Sequence, residues 1–342
     1  MEKDYNVVIK VTTSCPGNCK CCVNRQLNFK SKNKTHAIFD LKLFEKICRE
    51  LKKAGGSYIC LSGGEPTMVP NLGDYIKIAN ENGLASRINT NGWGITEENV
   101  KSWLADGLDQ IVLSVYGTTK KLISSTRGND LLFERSQNAL SVLKKTKRKN
   151  NFIFIIQTII LKDNFKNLPE IFKVAIDNKA DLFWPSYLED AHFLPEIRMR
   201  EADIKYLKEN IIPEMKRIVE KKFKSASHRE KLIDTLNRYY SIKYDDYCYH
   251  DKTLKCALLG RHWTFYPGGV VDPCPGHEYF PSKYQQTVNL KTVAQIFSLE
   301  NIKKNSSLSF DYCQYCPHGE HIGLNLKEQE FNEHSSKEIL KK

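Results

Sequence analysis

Residues 7–22 read VVIKVTTSCPGNCKCC, in which a short apolar run passes directly into a loop that holds four cysteines. Runs of the same β-branched type recur at 58–61, 86–89, 111–115, 152–161 and 180–188. Between them lie segments with a helical spacing of apolar residues, at about 39–53, 70–82, 96–105, 131–147 and 166–178. This alternation predicts an α/β fold with a parallel sheet, either open or curled into a partial barrel. The active site of such a fold lies on the loops at the carboxyl ends of the strands, where the cysteine loop falls.

The composition restricts the class of protein that the chain represents. It contains 41% hydrophobic residues but no run of about 18 apolar residues, which argues against a membrane-spanning segment. The first residues lack the order of a secretory signal, so we expect a cytoplasmic protein. The net charge of +12 indicates either solvated basic faces, such as 144–149, or attraction of an acidic substrate. Without a nucleic-acid motif, we expect neither nucleic acid nor a membrane as a partner.

Eleven cysteines in such a protein favour metal or redox chemistry over a disulfide framework. Cys15, Cys19 and Cys22 lie on one loop, where several thiolates can wrap an iron–sulfur cubane. Three ligands leave one iron open to a cofactor or substrate. A zinc site is the alternative, and it requires a fourth ligand from elsewhere in the chain.

The spacing Cys-x3-Cys-x2-Cys after the first strand resembles that of the radical S-adenosylmethionine (radical SAM) superfamily, and the sequence 61–66, Leu-Ser-Gly-Gly-Glu-Pro, resembles its GGEP motif. The resemblance covers 7–188 and implies a partial (β/α)6 parallel barrel. It implies that Cys15, Cys19 and Cys22 hold a [4Fe–4S] cluster and that S-adenosylmethionine binds the remaining iron. The residues that it implies for cofactor binding are Gly63, Gly64, Glu65, Pro66, Asn91, Ser114, Arg127 and Arg135.

One position departs from the family pattern. Many members carry an aromatic residue just before the third cysteine, and this chain has Cys21 there. Cys21 is interpreted as a neutral substitution, with an additional ligand or a redox-active thiol as the alternatives.

A second group of cysteines lies near the carboxyl end of the chain. Gly268-Gly269 separates two strand-like runs and predicts a β-hairpin, which would bring Cys256 and Cys274 towards each other. Cys313 and Cys316 complete a set of four thiolates, sufficient for a structural zinc ion or an iron–sulfur cluster. On a radical SAM core the pattern resembles the SPASM/twitch extension and implies one auxiliary [4Fe–4S] cluster.

The predicted organisation has four parts. Residues 1–190 form the radical SAM core, and 191–247 form a helical connection that is interpreted as a pair of amphipathic helices. Residues 248–325 form a small twitch-like domain for the auxiliary cluster, and 326–342 form a polar tail.

The resemblance implies an enzyme that reductively cleaves S-adenosylmethionine to a 5′-deoxyadenosyl radical, which abstracts hydrogen from a substrate C–H bond. It implies a reducing partner such as flavodoxin or ferredoxin, with the auxiliary cluster as an electron acceptor in a net oxidation.

A polar small molecule (a sugar, aminocyclitol or nucleoside) is the predicted substrate, because no leader-binding domain precedes the core. The alternatives are a maturase of ribosomally synthesised peptides and a non-enzymatic zinc-binding scaffold. Candidate substrate contacts around the sixth strand are Trp184, Tyr187, Glu189, Asp190 and His192.

Overall fold

The computed structural model of the chain describes residues 5–22, 37–188, 194–239, 262–272, 286–298, 300–301 and 324–327. Within them a ten-stranded sheet forms in the order β10-β6-β5-β4-β3-β2-β1-β7-β8-β9. The six strands at its centre, β1 to β6, are all parallel. They are β1 (Asn6–Lys10), β2 (Tyr58–Ser62), β3 (Ala85–Thr90), β4 (Gln110–Ser114), β5 (Ile153–Ile160) and β6 (Leu182–Tyr187). The prediction of an α/β fold with six parallel strands is confirmed.

Six helices connect the parallel strands. They are α1 (Leu41–Lys53), α2 (Leu72–Glu81), α3 (Glu97–Ala105), α4 (Lys120–Arg127), α5 (Leu131–Lys147) and α6 (Leu168–Asp177). Five of them match the predicted segments. Asp40 and Thr96 cap two of these helices by accepting hydrogen bonds from N–H groups of the first turn. Helix α4 was not predicted. It begins after Thr119, which caps it, and ends at Gly128, which has φ 64°.

The two faces of the parallel sheet differ in packing. Side chains such as Ile59, Ile88 and Phe154 point to the outer face and are buried in the main core under the helices. The alternate side chains point to the inner face, where Val112, Ile155 and Leu182 form a separate small apolar cluster. Other inner-face side chains remain partly accessible, which indicates an open concave surface; they are Tyr58, Arg87, Asn89, Ser114, Gln157 and Trp184.

A contact across the inner face shows that the sheet is curled. The Arg87 guanidinium lies 5.4 Å from the centre of the Trp184 ring. Arg87 is on β3 and Trp184 on β6, which lie about 14 Å apart in a flat sheet at the usual strand spacing. Side chains that stand perpendicular to a flat sheet keep that distance. The contact therefore indicates a partial barrel with Arg87 and Trp184 on its concave side.

The carboxyl-terminal part adds strands to both edges of this sheet. The strands β7 (His262–Phe265) and β8 (Val270–Asp272) form the predicted hairpin around Gly268-Gly269. Strand β7 also pairs in parallel with β1, which the sequence did not predict. The strands β9 (Gln286–Thr287) and β10 (Leu324–Asn325) extend the two edges, and α10 (Val293–Ile296) follows β9.

A buried charge cluster joins β10 to the core. The Asp181 carboxylate accepts a hydrogen bond from the Phe154 N–H at 2.7 Å and pairs with Lys147 at 2.8 Å and with Lys327. The side chains of Asp181 and Lys147 are 8% and 11% exposed. A buried carboxylate with two cations and a backbone donor holds the segment around β10 against β6.

The predicted pair of amphipathic helices is present as two helical segments. The first comprises α7 (Glu201–Tyr206), a π-helical turn (Leu207–Ile211) and α8 (Ile212–Lys222), and the second is α9 (Ala226–Tyr239). Among the described helices none is both long and apolar enough to cross a bilayer. The domain boundaries at 190, 247 and 325 stay a prediction.

Candidate active site

The cysteine loop follows β1 at the carboxyl edge of the sheet. Cys15 is exposed, and Cys19 and Cys22 are partly exposed. A Cβ placed on Gly17 would lie 3.5 Å from both the Cys15 and the Cys19 sulfur, so these two thiols face the same small space. The Cys15 sulfur accepts hydrogen bonds from the Gly17 N–H at 3.3 Å and from the Asn91 amide at 3.7 Å. Burial raises the pKa of the Cys15 thiol to about 12, and the Gly17 donor opposes that rise.

This arrangement fits a cubane cluster better than a single metal ion. In the described part of the chain no three Cys, His, Asp or Glu side chains converge closely enough to bind one ion. A cubane does not require that convergence, because each cysteine binds a different iron and the sulfurs surround the whole cluster. The three thiols and the amide donors near Cys15 therefore fit a [4Fe–4S] cluster.

Cys21 differs from its three neighbours. Its side chain is 7% exposed and belongs to the hydrophobic core. Burial raises the pKa of the Cys21 thiol, which favours the neutral form. Its burial in the core supports the interpretation of Cys21 as a substitution without a ligand role.

The loop after β2 packs directly on the cysteine loop. The Gly64 N–H donates to the Thr12 carbonyl at 2.7 Å, and the Glu65 N–H donates to the Ser14 carbonyl at 2.6 Å. A Cβ on Gly64 would lie 2.1 Å from the Ser14 oxygen, and one on Gly63, whose φ is 144°, would lie 2.6 Å from the Thr12 oxygen. Only glycine allows this approach. The two glycines thus fix the start of the cysteine loop.

Glu65 connects this loop to the one after β3. Its carboxylate is 1% exposed and accepts hydrogen bonds from the Thr67 N–H and hydroxyl at 3.1 and 2.6 Å, the Thr90 hydroxyl at 2.5 Å and the Asn91 N–H at 2.7 Å. Burial raises the pKa of the Glu65 carboxyl, and these donors oppose the rise. Glu65 therefore positions Asn91, whose amide faces Cys15. Its neighbour Pro66 is buried at the start of a short 3₁₀ turn.

Helix α4 supports the cysteine loop from the other side. The Arg127 and Thr126 carbonyls accept hydrogen bonds from the Asn18 N–H at 2.8 Å and the Lys20 N–H at 3.2 Å. The Arg127 guanidinium donates to the Ser114 carbonyl at 2.7 Å and stacks on the Tyr116 ring at 4.6 Å. These contacts bring together the predicted cofactor residues Ser114 and Arg127. The sequence signals for this helix were Thr119 and Gly128.

We expect Gly128→Ala to lower the free energy of unfolding by more than the backbone strain of the substitution alone, and to lower the iron content. A left-handed conformation costs a non-glycine residue about 1–2 kcal/mol. A Cβ on Gly128 would also lie 2.7 Å from the Asn18 oxygen, which adds a steric clash to that cost. Gly83→Ala is the matched control, because its φ of 68° is similar and its Cβ meets only the flexible end of Lys52. Urea unfolding and iron content measure both variants. Equal losses would contradict the role of the Asn18 contact.

Arg135 occupies a different place from Arg127. It stacks on the Trp93 ring at 4.9 Å, and the Trp93 N–H donates to the Asn91 side chain at 2.9 Å. Arg135 thus lies by the loop after β3, and Arg127 lies against β4. Arg127 is buried, whereas Arg135 is exposed.

The structure describes two of the predicted substrate residues and none of the four predicted auxiliary-cluster cysteines. Trp184 lies on the inner face, whereas Tyr187 packs against the main core. The candidate residues outside the described part are Glu189, Asp190, His192, Cys256, Cys274, Cys313 and Cys316. Sequence reasoning missed Arg87, although a charged residue in the middle of a buried strand is a signal for it.

Comparisons with known proteins agree with this architecture. The radical SAM superfamily profile matches residues 9–175. PqqA peptide cyclase of Bradyrhizobium diazoefficiens is 23% identical over 279 residues, which are 80% of this chain and 67% of that protein.

Solved structures share the fold. Streptococcus suis SuiB bound to the precursor peptide SuiA has a TM-score of 0.63 at 18% identity, over 93% of this chain and 70% of that one. The structure of anSMEcpe with bound AdoMet also has a TM-score of 0.63, at 15% identity, over 94% and 93%. Through residues 9–175, which carry the three-cysteine loop and the Gly63-Gly64 turn, the chain belongs to the radical SAM superfamily of enzymes.

Proposed function

We propose that the chain modifies a C–H bond of a ribosomally synthesised peptide by radical SAM chemistry. The observation that carries this proposal is the position of the cysteine loop and of Asn91 at the carboxyl edge of an open inner face. Two relatives support a peptide substrate: PqqA peptide cyclase is named for a peptide, and the SuiB structure contains the precursor peptide SuiA. They favour this alternative over the sugar-type substrate that the sequence first suggested.

Cys15, Cys19 and Cys22 would hold the [4Fe–4S] cluster, with the Asn91 amide as a hydrogen-bond donor to Cys15. When bound, the cluster and S-adenosylmethionine supply an electron and a radical strong enough to remove hydrogen from an unactivated carbon. Gly63 and Gly64 hold the backbone of the loop close to the cluster, and the buried Glu65 keeps Asn91 in place. Ser114 and Arg127 would orient the cofactor from β4 and α4.

We also propose one auxiliary [4Fe–4S] cluster on Cys256, Cys274, Cys313 and Cys316. Its support is the count of four thiolates, which is sufficient for full ligation. A fully ligated cluster has no open iron, which favours transfer of an electron away from the substrate over substrate binding. A flavodoxin-type or ferredoxin-type protein would reduce the first cluster.

The test is 5′-deoxyadenosine formation by the reconstituted protein under anaerobic conditions with dithionite and S-adenosylmethionine. Short peptides encoded beside the gene form one panel, and sugars, aminocyclitols and nucleosides form the other. We expect a peptide to stimulate 5′-deoxyadenosine formation and to lose hydrogen in its mass spectrum. Stimulation by the small molecules alone would contradict a peptide substrate, and no 5′-deoxyadenosine under any condition would contradict the radical mechanism.

A further inference from the structure

Arg87 is a charged side chain on the inner face of the barrel, below the candidate cofactor site. The centres of the Tyr58 and Trp184 rings lie 5.0 and 5.4 Å from its guanidinium carbon, and the fully buried Cys60 lies beside it. The two rings flank the guanidinium, which also hydrogen-bonds to the Cys60 sulfur. The Arg87 side chain is half-buried, so part of it remains accessible.

The charge of Arg87 lacks a counter-ion in the described part of the chain. No Asp or Glu there forms an ion pair with it, and its Nε is buried without a hydrogen-bond partner among the described residues. The Asn89 side-chain oxygen and the Tyr58 hydroxyl, on the same face, are also buried without a described partner. A largely buried cation whose Nε–H lacks an acceptor is costly unless an anion binds it. The stacking recovers only part of that cost.

The position of Arg87 separates it from the predicted cofactor residues. Arg87 precedes Asn91 by four residues, or about 13 Å along an extended strand. The Asn91 amide faces the cysteine loop, and the loop residues Gly63 and Gly64 lie at the same edge of the sheet. An anion at Arg87 would therefore come from the substrate and not from the carboxylate of S-adenosylmethionine.

We propose that Arg87 binds a carboxylate side chain, Asp or Glu, of the peptide substrate on the inner face. This inference rests on the proposed function. Arginine presents two parallel N–H donors that match a carboxylate, and the flanking Tyr58 and Trp184 rings fix the plane of that fork. The site selects an acidic residue at one place in the peptide and so determines specificity without taking part in the chemistry.

Selection from a randomised peptide library tests this inference. The reconstituted enzyme with S-adenosylmethionine and no reductant would select binders from an mRNA-displayed library, whose fused carboxyl ends remove the terminal carboxylate as a ligand. We expect the wild type to enrich Asp or Glu at one position, and Arg87→Gln to lose that preference. Arg87→Glu should enrich Lys or Arg instead. Arg49→Gln, an exposed arginine on α1 paired with Glu45, is the control.

A selected peptide and its amide counterpart, with Asp→Asn or Glu→Gln, then give the size of the effect. We expect the wild type to bind the amide form about tenfold to a hundredfold more weakly, as for loss of a charged hydrogen-bonded pair. Arg87→Gln should bind both forms equally. If Arg87→Gln loses iron or folds poorly, Arg87→Lys keeps the charge without the fork and should show a reduced ratio between the two peptides.

The outcomes separate the two proposals. Two outcomes would overturn the role of Arg87 and leave the peptide assignment intact. In the first, the wild type enriches peptides without a preference for Asp or Glu, and in the second, Arg87→Gln retains that preference. Failure to enrich any peptide, by an enzyme that still forms 5′-deoxyadenosine, would overturn both. A preference that is lost equally in Arg49→Gln would also overturn the role of Arg87.

Discussion

Replacing Cys15, Cys19 and Cys22 together by alanine should lower the iron content of the reconstituted protein from about eight atoms to about four, as two [4Fe–4S] clusters imply. Formation of 5′-deoxyadenosine should stop completely. These three thiols are the cysteines of this loop that are at least partly exposed, whereas Cys21 is buried in the core.

Cys21→Ala is the matched control for this prediction, because it changes the same loop but removes a buried thiol. It should retain about eight irons and the ability to cleave S-adenosylmethionine. The measurements are iron and sulfide content, and product formation with dithionite. A fall from about four irons to none in the triple variant would exclude the auxiliary cluster. Iron loss in Cys21→Ala equal to that in the triple variant would contradict the assignment of ligands.

The parts of the molecule that the sequence predicted are those encoded by neighbouring residues. The β1 run and the cysteine loop are adjacent in the sequence, and most of the six parallel strands are short apolar runs. The Gly268-Gly269 hairpin is likewise a local signal. Five of the six helices have enough regularly spaced apolar residues to be recognised.

The missed features depend on contacts between distant segments. Helix α4, with the sequence KKLISSTR, has few apolar residues, and its carboxyl end is held by the cysteine loop through Asn18. The parallel pairing of β7 with β1 joins residues more than 250 positions apart, which no local pattern encodes. The role of Arg87 depends on the curl of the sheet that brings Trp184 across from β6. Such pairings follow from the closed geometry and not from propensity.

The structure also gives Glu65 a physical role. The resemblance placed it among the cofactor residues, and its carboxylate is surrounded by donors from Thr67, Thr90 and Asn91. It therefore acts on the site through Asn91. This role requires the loops after β2 and β3 to meet, because Glu65 and Thr90 are 25 residues apart.

Replacing Glu65 by alanine should lower the free energy of unfolding of the iron-free protein by about 3–5 kcal/mol, because buried N–H donors of Thr67 and Asn91 would lose their acceptor. The effect should be larger than that of Gly128→Ala. Glu65→Gln should lose less, since its carbonyl oxygen can keep the Thr67 and Thr90 donors, while its NH2 group would face the Asn91 N–H. Urea unfolding under anaerobic conditions measures the three proteins.

The same change should reach the cluster through Asn91. Once its N–H is released, the Asn91 amide would no longer be held 3.7 Å from the Cys15 sulfur, so Glu65→Ala should also retain less iron on the cysteine loop. The control is Glu45→Ala, at an exposed glutamate on α1 that pairs with Arg49. It should change the free energy of unfolding by no more than about 0.5 kcal/mol and leave the iron content unchanged. A Glu65→Ala protein as stable as the control, but unable to form 5′-deoxyadenosine, would show that Glu65 contacts the cofactor directly. Loss of both stability and iron would instead establish it as the residue that positions Asn91.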